Sequence, residues 1–144
     1  MNELSLTVTK KIKAPIDSVF NAWLNPKLLS QFILPMPGMP EPVVDNNPII
    51  GGKFTILMQV GENKIPHTGE YIEIERPNKL VFTWQSPFSA DGSIVTIIFK
   101  ELNDNITHVE LTHIKFIDEE ARNNHTGGWT NILNCLEGLV SSIN

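Results

Sequence analysis

The chain has 144 residues, of which 41% are hydrophobic and 19% charged, and it carries a net charge of −5. A chain of this length can bury roughly 70% of the surface it exposes when unfolded, so one core is sufficient without disulfides. The eleven lysines and arginines are scattered along the sequence, which excludes the basic footprint that nucleic-acid binding requires.

The N-terminus lacks the charged and apolar regions of a signal peptide, and no apolar run reaches the length needed to span a membrane. The single Cys135 cannot form an internal disulfide, and its helical apolar pattern is typical of a buried thiol. We therefore expect a cytoplasmic protein with no membrane span.

The first part of the chain predicts a strand and two short helices. Residues 3–13 alternate polar and apolar side chains, the period of a half-buried strand that Ala14-Pro15 ends. Asn25-Pro26, a capping side chain before proline, predicts the start of the second helix. The apolar face of the first helix consists of Ile16, Val19, Phe20 and Trp23.

Several prolines and Gly38 predict a long loop from Pro35 to Pro48, with a brief extended stretch at Val43-Val44. Such a loop is equally compatible with a functional lid and with an ordinary surface loop.

From Gly51 onwards, alternating apolar residues separated by turn signals predict a β-meander, giving about six strands after the two helices. We expect one strand from Gly69 to Glu75, a loop over Pro87 to Gly92 and a final hairpin around Asn103-Asp104-Asn105.

From Asp118 to Val140 the spacing of the apolar residues becomes helical, and they form a wide apolar stripe. Gly127-Gly128 interrupts this helix at about 1 kcal/mol per glycine, so we expect a kink or a close backbone contact there. Because strands and helices do not alternate, the sequence predicts an α+β fold. In it, a curved antiparallel sheet wraps around the long C-terminal helix, with residues 1–144 as one domain.

Short motifs run in order along nearly the whole chain: Lys13-Ala14-Pro15, Gly51-Gly52-Lys53-Phe54, Gly69-Glu70-Tyr71, Lys79-Leu80-Val81-Phe82-Thr83-Trp84, Leu111-Thr112-His113, and His125 with Gly128-Trp129. With this order of elements, the chain resembles the helix-grip domains of the birch-pollen-allergen and START-related lipid-binding proteins. Within that superfamily it resembles homologues of the heat-shock-protein-90 ATPase activator, of the C-terminal-domain type.

The resemblance implies the helix-grip fold and a chaperone ATPase as a candidate partner. The eukaryotic activator carries an additional N-terminal domain that contributes to chaperone engagement, whereas this chain begins at its first strand. We therefore expect that this chain alone does not stimulate the ATPase.

A curved sheet and a diagonal helix cannot close completely on each other, and the fold analogy favours an apolar cavity of about 300–1,000 Å³ over a filled core. Truncating Phe54 or Trp84 should then cost less than truncating Trp129, which we expect to anchor the helix. The residues whose predicted faces converge on this cavity are Trp23, Phe32, Phe54, Ile56, Met58, Tyr71, Phe82, Trp84, Ile97, Phe99, Leu111, His113, Trp129, Leu133 and Leu136.

The sequence assigns no catalytic residue, metal or cofactor. The four histidines have no spacing typical of metal ligands, and no nucleophile elbow, phosphate loop or dinucleotide fingerprint is present. His113 shares the inward parity of Leu111, which fits a hydrogen-bonded core histidine or a residue that orients a ligand. Tyr71 has the parity opposite to Glu70 and is a candidate donor to the ligand's polar end.

We expect a non-enzymatic protein that binds a small apolar or amphipathic ligand. The alternatives are a co-chaperone-like module that contacts an ATPase chaperone, and a cavity enzyme of the cyclase or hydrolase type that uses His113 or Tyr71. A monomer and a homodimer, formed through an exposed edge strand, are both compatible with the sequence.

Overall fold

A computed structural model of the protein describes residues 4–36, 38–87 and 89–142. These residues form seven strands and three helices, which are, in chain order, β1 (Ser5–Ile12), α1 (Ile16–Ala22), α2 (Pro26–Phe32), β2 (Val43–Asn46), β3 (Lys53–Val60), β4 (Asn63–Glu75), β5 (Lys79–Thr83), β6 (Ser89–Asn103), β7 (Ile106–Phe116) and α3 (Glu119–Ser142). The strands form one antiparallel sheet in the order β1-β7-β6-β5-β4-β3-β2. The predicted α+β helix-grip architecture is confirmed.

The short helices begin as their sequence indicates. The side chain of Asn25 accepts hydrogen bonds from the backbone N–H groups of Lys27 and Leu28 at 3.0 and 3.2 Å, while Pro26 occupies the first turn, where no N–H donor is needed. Beyond α2, the amide of Asn131 on α3 donates to the backbone carbonyl of Leu34 at 2.7 Å. This bond fixes the start of the proline-rich segment against α3.

Strand β4 begins at Asn63, six residues before the predicted start at Gly69. Residues 63–67 pair with β3, whereas the pairing of β4 with β5 runs only from Tyr71 to Glu75. Pro66 therefore lies in a stretch with one strand partner, where the missing N–H is tolerated. The hairpin of β3 and β4 consequently projects past the end of β5.

Strand β6 also extends further than predicted, because the expected loop from Pro87 to Gly92 gives way to a strand that begins at Ser89. The register between β6 and β7 shifts between Ser89 and Ile94, and Gly92 in this irregular stretch has a φ of +81°. The Asp91-Gly92 pair thus marks a bulge rather than the end of a strand. Phe88, within the predicted loop, lies outside the described residues.

Helix α3 is a single unbroken helix through Gly127-Gly128. The predicted close contact is present at Gly128, where an added Cβ would lie 3.1 Å from the Cβ of Pro35. A second glycine allows close packing in the sheet, since a Cβ on Gly69 would collide with the Thr83 carbonyl and the Phe54 ring. Gly69 is therefore required for space, whereas a side chain at position 128 would require Pro35 to move slightly.

The core lies between the sheet and the three helices. Helix α3 packs against β1, β7, α1 and α2, and its buried stripe consists of Trp129, Ile132, Leu133, Leu136 and Val140. Within the part of the chain that the structure describes, no helix is long and apolar enough to cross a bilayer.

Candidate ligand-binding cleft

The aromatic residues at the centre of the molecule pack closely. The ring of Phe54 lies 5.3 Å from Phe82, 5.4 Å from Tyr71 and 6.2 Å from Trp84, measured between centroids. The space left among these rings is about 10 Å³, which is no more than one water molecule requires. An organic ligand has no room there. The void is lined by Trp23, Leu29, Ile33, Phe54, Ile56, Tyr71, Phe82 and Trp84.

A much larger cleft, of about 670 Å³, opens at one end of this aromatic cluster. One wall is the projecting part of the β3–β4 hairpin, the opposite wall is the first half of α3, and the segment after α2 completes the rim. Its volume lies within the usual range for small-molecule sites. The lining residues are Pro35, Met36, Met58, Val60, Ile65, His67, Trp84, Ile117, Asp118, Glu120, Ala121, Asn124, His125, Gly128, Trp129 and Ile132.

The floor of the cleft is apolar and consists of buried side chains. Trp84, Trp129, Met58 and Ile132 are buried, and the rings of Trp84 and Trp129 lie 5.1 Å apart. The rim is open, because Ile117 retains 55% of its accessible surface. A ligand can therefore enter from solvent and reach a preformed aromatic surface.

His113 lies directly behind this floor, with hydrogen bonds on both ring nitrogens. The indole N–H of Trp129 donates to Nδ1 of His113 at 3.0 Å, and Nε2 lies 2.7 Å from the hydroxyl of Ser93. Because the indole only donates, Nδ1 is unprotonated and Nε2 carries the proton. The Ser93 hydroxyl then donates to the backbone carbonyl of Ile114 at 2.9 Å. Burial lowers the pKa of His113 to about 3, assisted by the neighbouring His125.

Two further histidines line the cleft itself. His125 donates from Nδ1 to the backbone carbonyl of Ala121 at 2.8 Å, and Nδ1 of His67 lies 3.1 Å from the carbonyl of Ile65. Since carbonyls only accept, Nδ1 carries the proton in both rings, and in His125 Nε2 offers a lone pair. His67 has a second backbone hydrogen bond, with Ile56. Burial lowers the pKa of His67 to about 4 and lowers that of His125 as well. Both imidazoles are therefore neutral at pH 7.

Tyr71 borders the small void instead of the cleft. Its hydroxyl accepts a hydrogen bond from the side-chain amide of Asn46 at 3.1 Å, and the same amide donates to the Leu24 carbonyl at 3.0 Å. Burial raises the pKa of the phenol. The role of Tyr71 as a donor to a ligand stays a prediction.

The fifteen residues predicted to line a cavity occupy three places. Met58, Trp84 and Trp129 line the cleft. Of the others, Trp23, Phe54, Ile56, Tyr71 and Phe82 border the small void. The remaining residues are buried in the core, and they are Phe32, Ile97, Phe99, Leu111, His113, Leu133 and Leu136. The involvement of this set in ligand binding stays a prediction.

Sequence reasoning missed most of the cleft wall on β4 and α3. Ile65, His67, Gly69 and Tyr71 share one strand parity, so extending the inward face of Tyr71 back through β4 would have placed Ile65 and His67 on the wall. For Ala121 and His125, the signal is the helical spacing of four residues, which repeats at Trp129. No comparable signal marks Met36 or Ile117, which flank regular elements.

Across the described ranges, no group of three or more histidine, cysteine, aspartate or glutamate side chains is arranged to hold a metal ion. The cleft lining contains no serine, threonine or cysteine among the described residues. The chemistry available there is apolar contact together with hydrogen bonding by imidazole, amide and carboxylate groups.

The sheet and the long helix define a helix-grip domain with a mainly apolar cleft at one end of the grip. The chain belongs to the family described as Activator of Hsp90 ATPase homolog 1-like protein, whose model matches residues 13–141. The family and the fold place it among co-chaperone-like or ligand-binding helix-grip modules. No curated protein matches the sequence significantly.

Three solved structures illustrate the shared fold. A putative uncharacterized protein from Rhizobium leguminosarum is 20% identical with a TM-score of 0.83, the alignment covering 98% of this chain and 96% of that one. An HSP90 activator from Plasmodium falciparum is 23% identical with a TM-score of 0.76 and 96% coverage of both chains. A protein from Chromobacterium violaceum is 22% identical with a TM-score of 0.77, covering 94% of this chain and 96% of that one. At these identities the likeness concerns the fold alone.

Proposed function

We propose that the protein binds a small hydrophobic or amphipathic molecule in the cleft between the β3–β4 hairpin and the first half of α3, without catalysing a reaction. The observation that carries this proposal is the apolar cleft of about 670 Å³ with Trp84 and Trp129 on its floor. Covering this surface removes apolar area from water at about 25 cal/mol per Å².

The packing beneath the cleft supports tight binding. The floor residues rest on a closed aromatic cluster, so a ligand meets side chains that are already ordered and little conformational entropy is lost. One wall is a paired hairpin, and on the other side Pro35 packs closely against Gly128 of α3. The site is preformed, as small-molecule sites usually are.

Binding without turnover agrees with the polar groups at the site. Both ring nitrogens of His113 are engaged by Trp129 and Ser93, so this histidine has no lone pair free to act as a base. The described lining offers no hydroxyl or thiol nucleophile beside His67 or His125.

Titration with the neutral fluorescent probe Nile red tests the proposal. Ala121→Phe should fill part of the cleft, because Ala121 is buried on its α3 wall, and weaken probe binding by roughly tenfold or more. Asn134→Phe, on the exposed side of the same helix, is the matched control and should bind like the wild type. A wild type that takes up no probe, or a folded Ala121→Phe variant that binds normally, would refute the proposal.

A second candidate function is contact with a chaperone ATPase through the protein surface. It is supported by the family match and by the fold shared with the Plasmodium falciparum HSP90 activator. A steady-state ATPase titration with the chaperone of the same organism tests it. Saturable, several-fold stimulation would support this function, and an unchanged rate at saturating protein would count against it.

A further inference from the structure

We infer that the cleft selects ligands whose polar end donates hydrogen bonds, an ammonium or a hydroxyl group on an apolar body, and discriminates against carboxylates and phosphates. This inference rests on the proposed function and assigns the chemical class of ligand to the same cleft.

The charged residues among the described lining of the cleft are all acidic. Asp118 and Glu120 lie on its rim, and among the described lining residues there is no lysine or arginine. The Asp118 carboxylate is held in place, since it accepts a hydrogen bond from the backbone N–H of Ala121 at 2.8 Å. An anionic end group would meet two carboxylates with no cation to offset them, whereas an ammonium group is attracted.

One histidine of the cleft presents an acceptor. In His125 the Nδ1 proton is directed to the backbone carbonyl of Ala121, which leaves the Nε2 lone pair for a ligand. His67 is bound to the backbone of both Ile65 and Ile56. A carboxylate could use these rings only after they gained a second proton, and burial opposes that change because it lowers the pKa of both. An ammonium or hydroxyl group can donate to Nε2 of His125 directly.

Two further polar groups belong to lining residues. Asn124 carries both an amide donor and a carbonyl acceptor, so it serves either kind of ligand. The indole N–H of Trp84 is buried without a hydrogen-bond partner among the described residues, and a hydroxyl ligand can accept from it as well as donate to His125. The rest of the wall is apolar. The cleft thus combines an apolar floor with acceptors and negative charge above it.

Displacement of Nile red by three compounds with the same naphthyl body tests the inference at pH 7.5. The competitors are naphthylethylammonium, naphthylethanol and naphthylacetate. We expect naphthylethylammonium to bind about tenfold more tightly than naphthylacetate, as two partly screened carboxylates would produce, with naphthylethanol between them. Naphthylacetate binding as tightly as the ammonium compound would overturn the inference.

Glu119 and Glu120 supply a matched pair of variants, since both are exposed in the first turn of α3 but only Glu120 lines the cleft. Glu120→Lys should reduce the ratio of ammonium to carboxylate affinity by roughly three- to tenfold. Glu119→Lys alters the net charge equally and should leave that ratio within about twofold. An equal shift in both variants would show that overall charge sets the preference, and would overturn the inference.

The outcomes separate the two proposals. If Nile red binds but the ammonium compound has no advantage, the ligand class is wrong while the binding function stands. If neither Nile red nor any naphthyl compound binds, the proposed function fails and this inference fails with it.

Discussion

The indole N–H of Trp129 donates to Nδ1 of His113 across 3.0 Å and links the first half of α3 to strand β7. Both residues are buried, so the bond is made away from water, where an unmet donor or acceptor is costly. It aligns the helix above the floor of the cleft and fixes the histidine tautomer.

Trp129→Phe is expected to destabilise the protein more than Trp84→Phe. Both changes remove similar volume. The Nε1 atom of Trp84 is buried without a hydrogen-bond partner among the described residues, so its loss breaks no bond. Loss of the Trp129 indole would leave Nδ1 of His113 unpaired. The difference in the free energy of unfolding should be about 1–3 kcal/mol, measured by urea denaturation of the two variants. A Trp84→Phe variant that loses as much stability as Trp129→Phe would contradict this assignment.

Stability should fall as the pH decreases from about 6.5 towards 4. In the folded state the pKa of His113 is about 3 and that of His67 about 4, below the ordinary value of 6.5 in the unfolded chain. Between these values the unfolded chain binds more protons, so lowering the pH favours unfolding by up to about 1.4 kcal/mol per pH unit for each histidine. Denaturation curves at pH 7.5, 6.0 and 5.0 measure the slope.

His113→Gln isolates one contribution to that slope. Glutamine can accept from Trp129 and donate to Ser93, so it reproduces the hydrogen bonds of the neutral ring without titrating. We expect the dependence of stability on pH to become shallower in this variant. His108→Gln, on the opposite face of β7, controls for the loss of one histidine. A slope identical to that of the wild type would exclude His113 as its source.

The adjacent glycines of α3 should respond differently to alanine. Gly127→Ala places a methyl group in open space and should stabilise the helix by about 1 kcal/mol. In Gly128→Ala the new Cβ would lie 3.1 Å from Pro35, so the gain in helix propensity is offset by strain. Thermal unfolding of both variants measures the difference, and equal stabilisation would show that the contact with Pro35 is easily relieved.

Phe54→Ala is expected to cost about 3–5 kcal/mol, the usual loss for truncating a phenylalanine in a packed core. The sequence alone predicts a smaller loss, because it indicates a cavity beside Phe54. In the structure its ring contacts Tyr71, Phe82 and Trp84 around a void of about 10 Å³. Ile72→Ala, at a residue with 40% of its surface exposed, is the control for denaturation and should cost under about 1 kcal/mol.

The elements of the fold could be predicted because their signals are local. The Asn25-Pro26 cap and the stripe around Trp129 each identify an element within a few residues of sequence. The errors came where local signals mislead. Pro66 argues against a strand unless it is known that the pairing with β5 begins only at Tyr71. Asp91-Gly92 is typical of both a turn and a bulge.

The location of the cleft could not be predicted in the same way. Its walls depend on how far the β3–β4 hairpin projects past β5 and on the contact between Gly128 and Pro35. Both relationships join residues far apart in sequence. Hydrophobic periodicity identifies which side chains face inward, but it does not distinguish a ring that packs against another ring from one that borders an opening.

The three tryptophans of the chain form one continuous series of ring contacts. Trp23 lies 6.4 Å from Trp129, and Trp129 lies 5.1 Å from Trp84, while the last two also form the floor of the cleft. Indoles this close can exchange excitation energy. We therefore expect a molecule bound at the floor of the cleft to change the intrinsic emission and the near-ultraviolet circular dichroism of the whole set, without any added label.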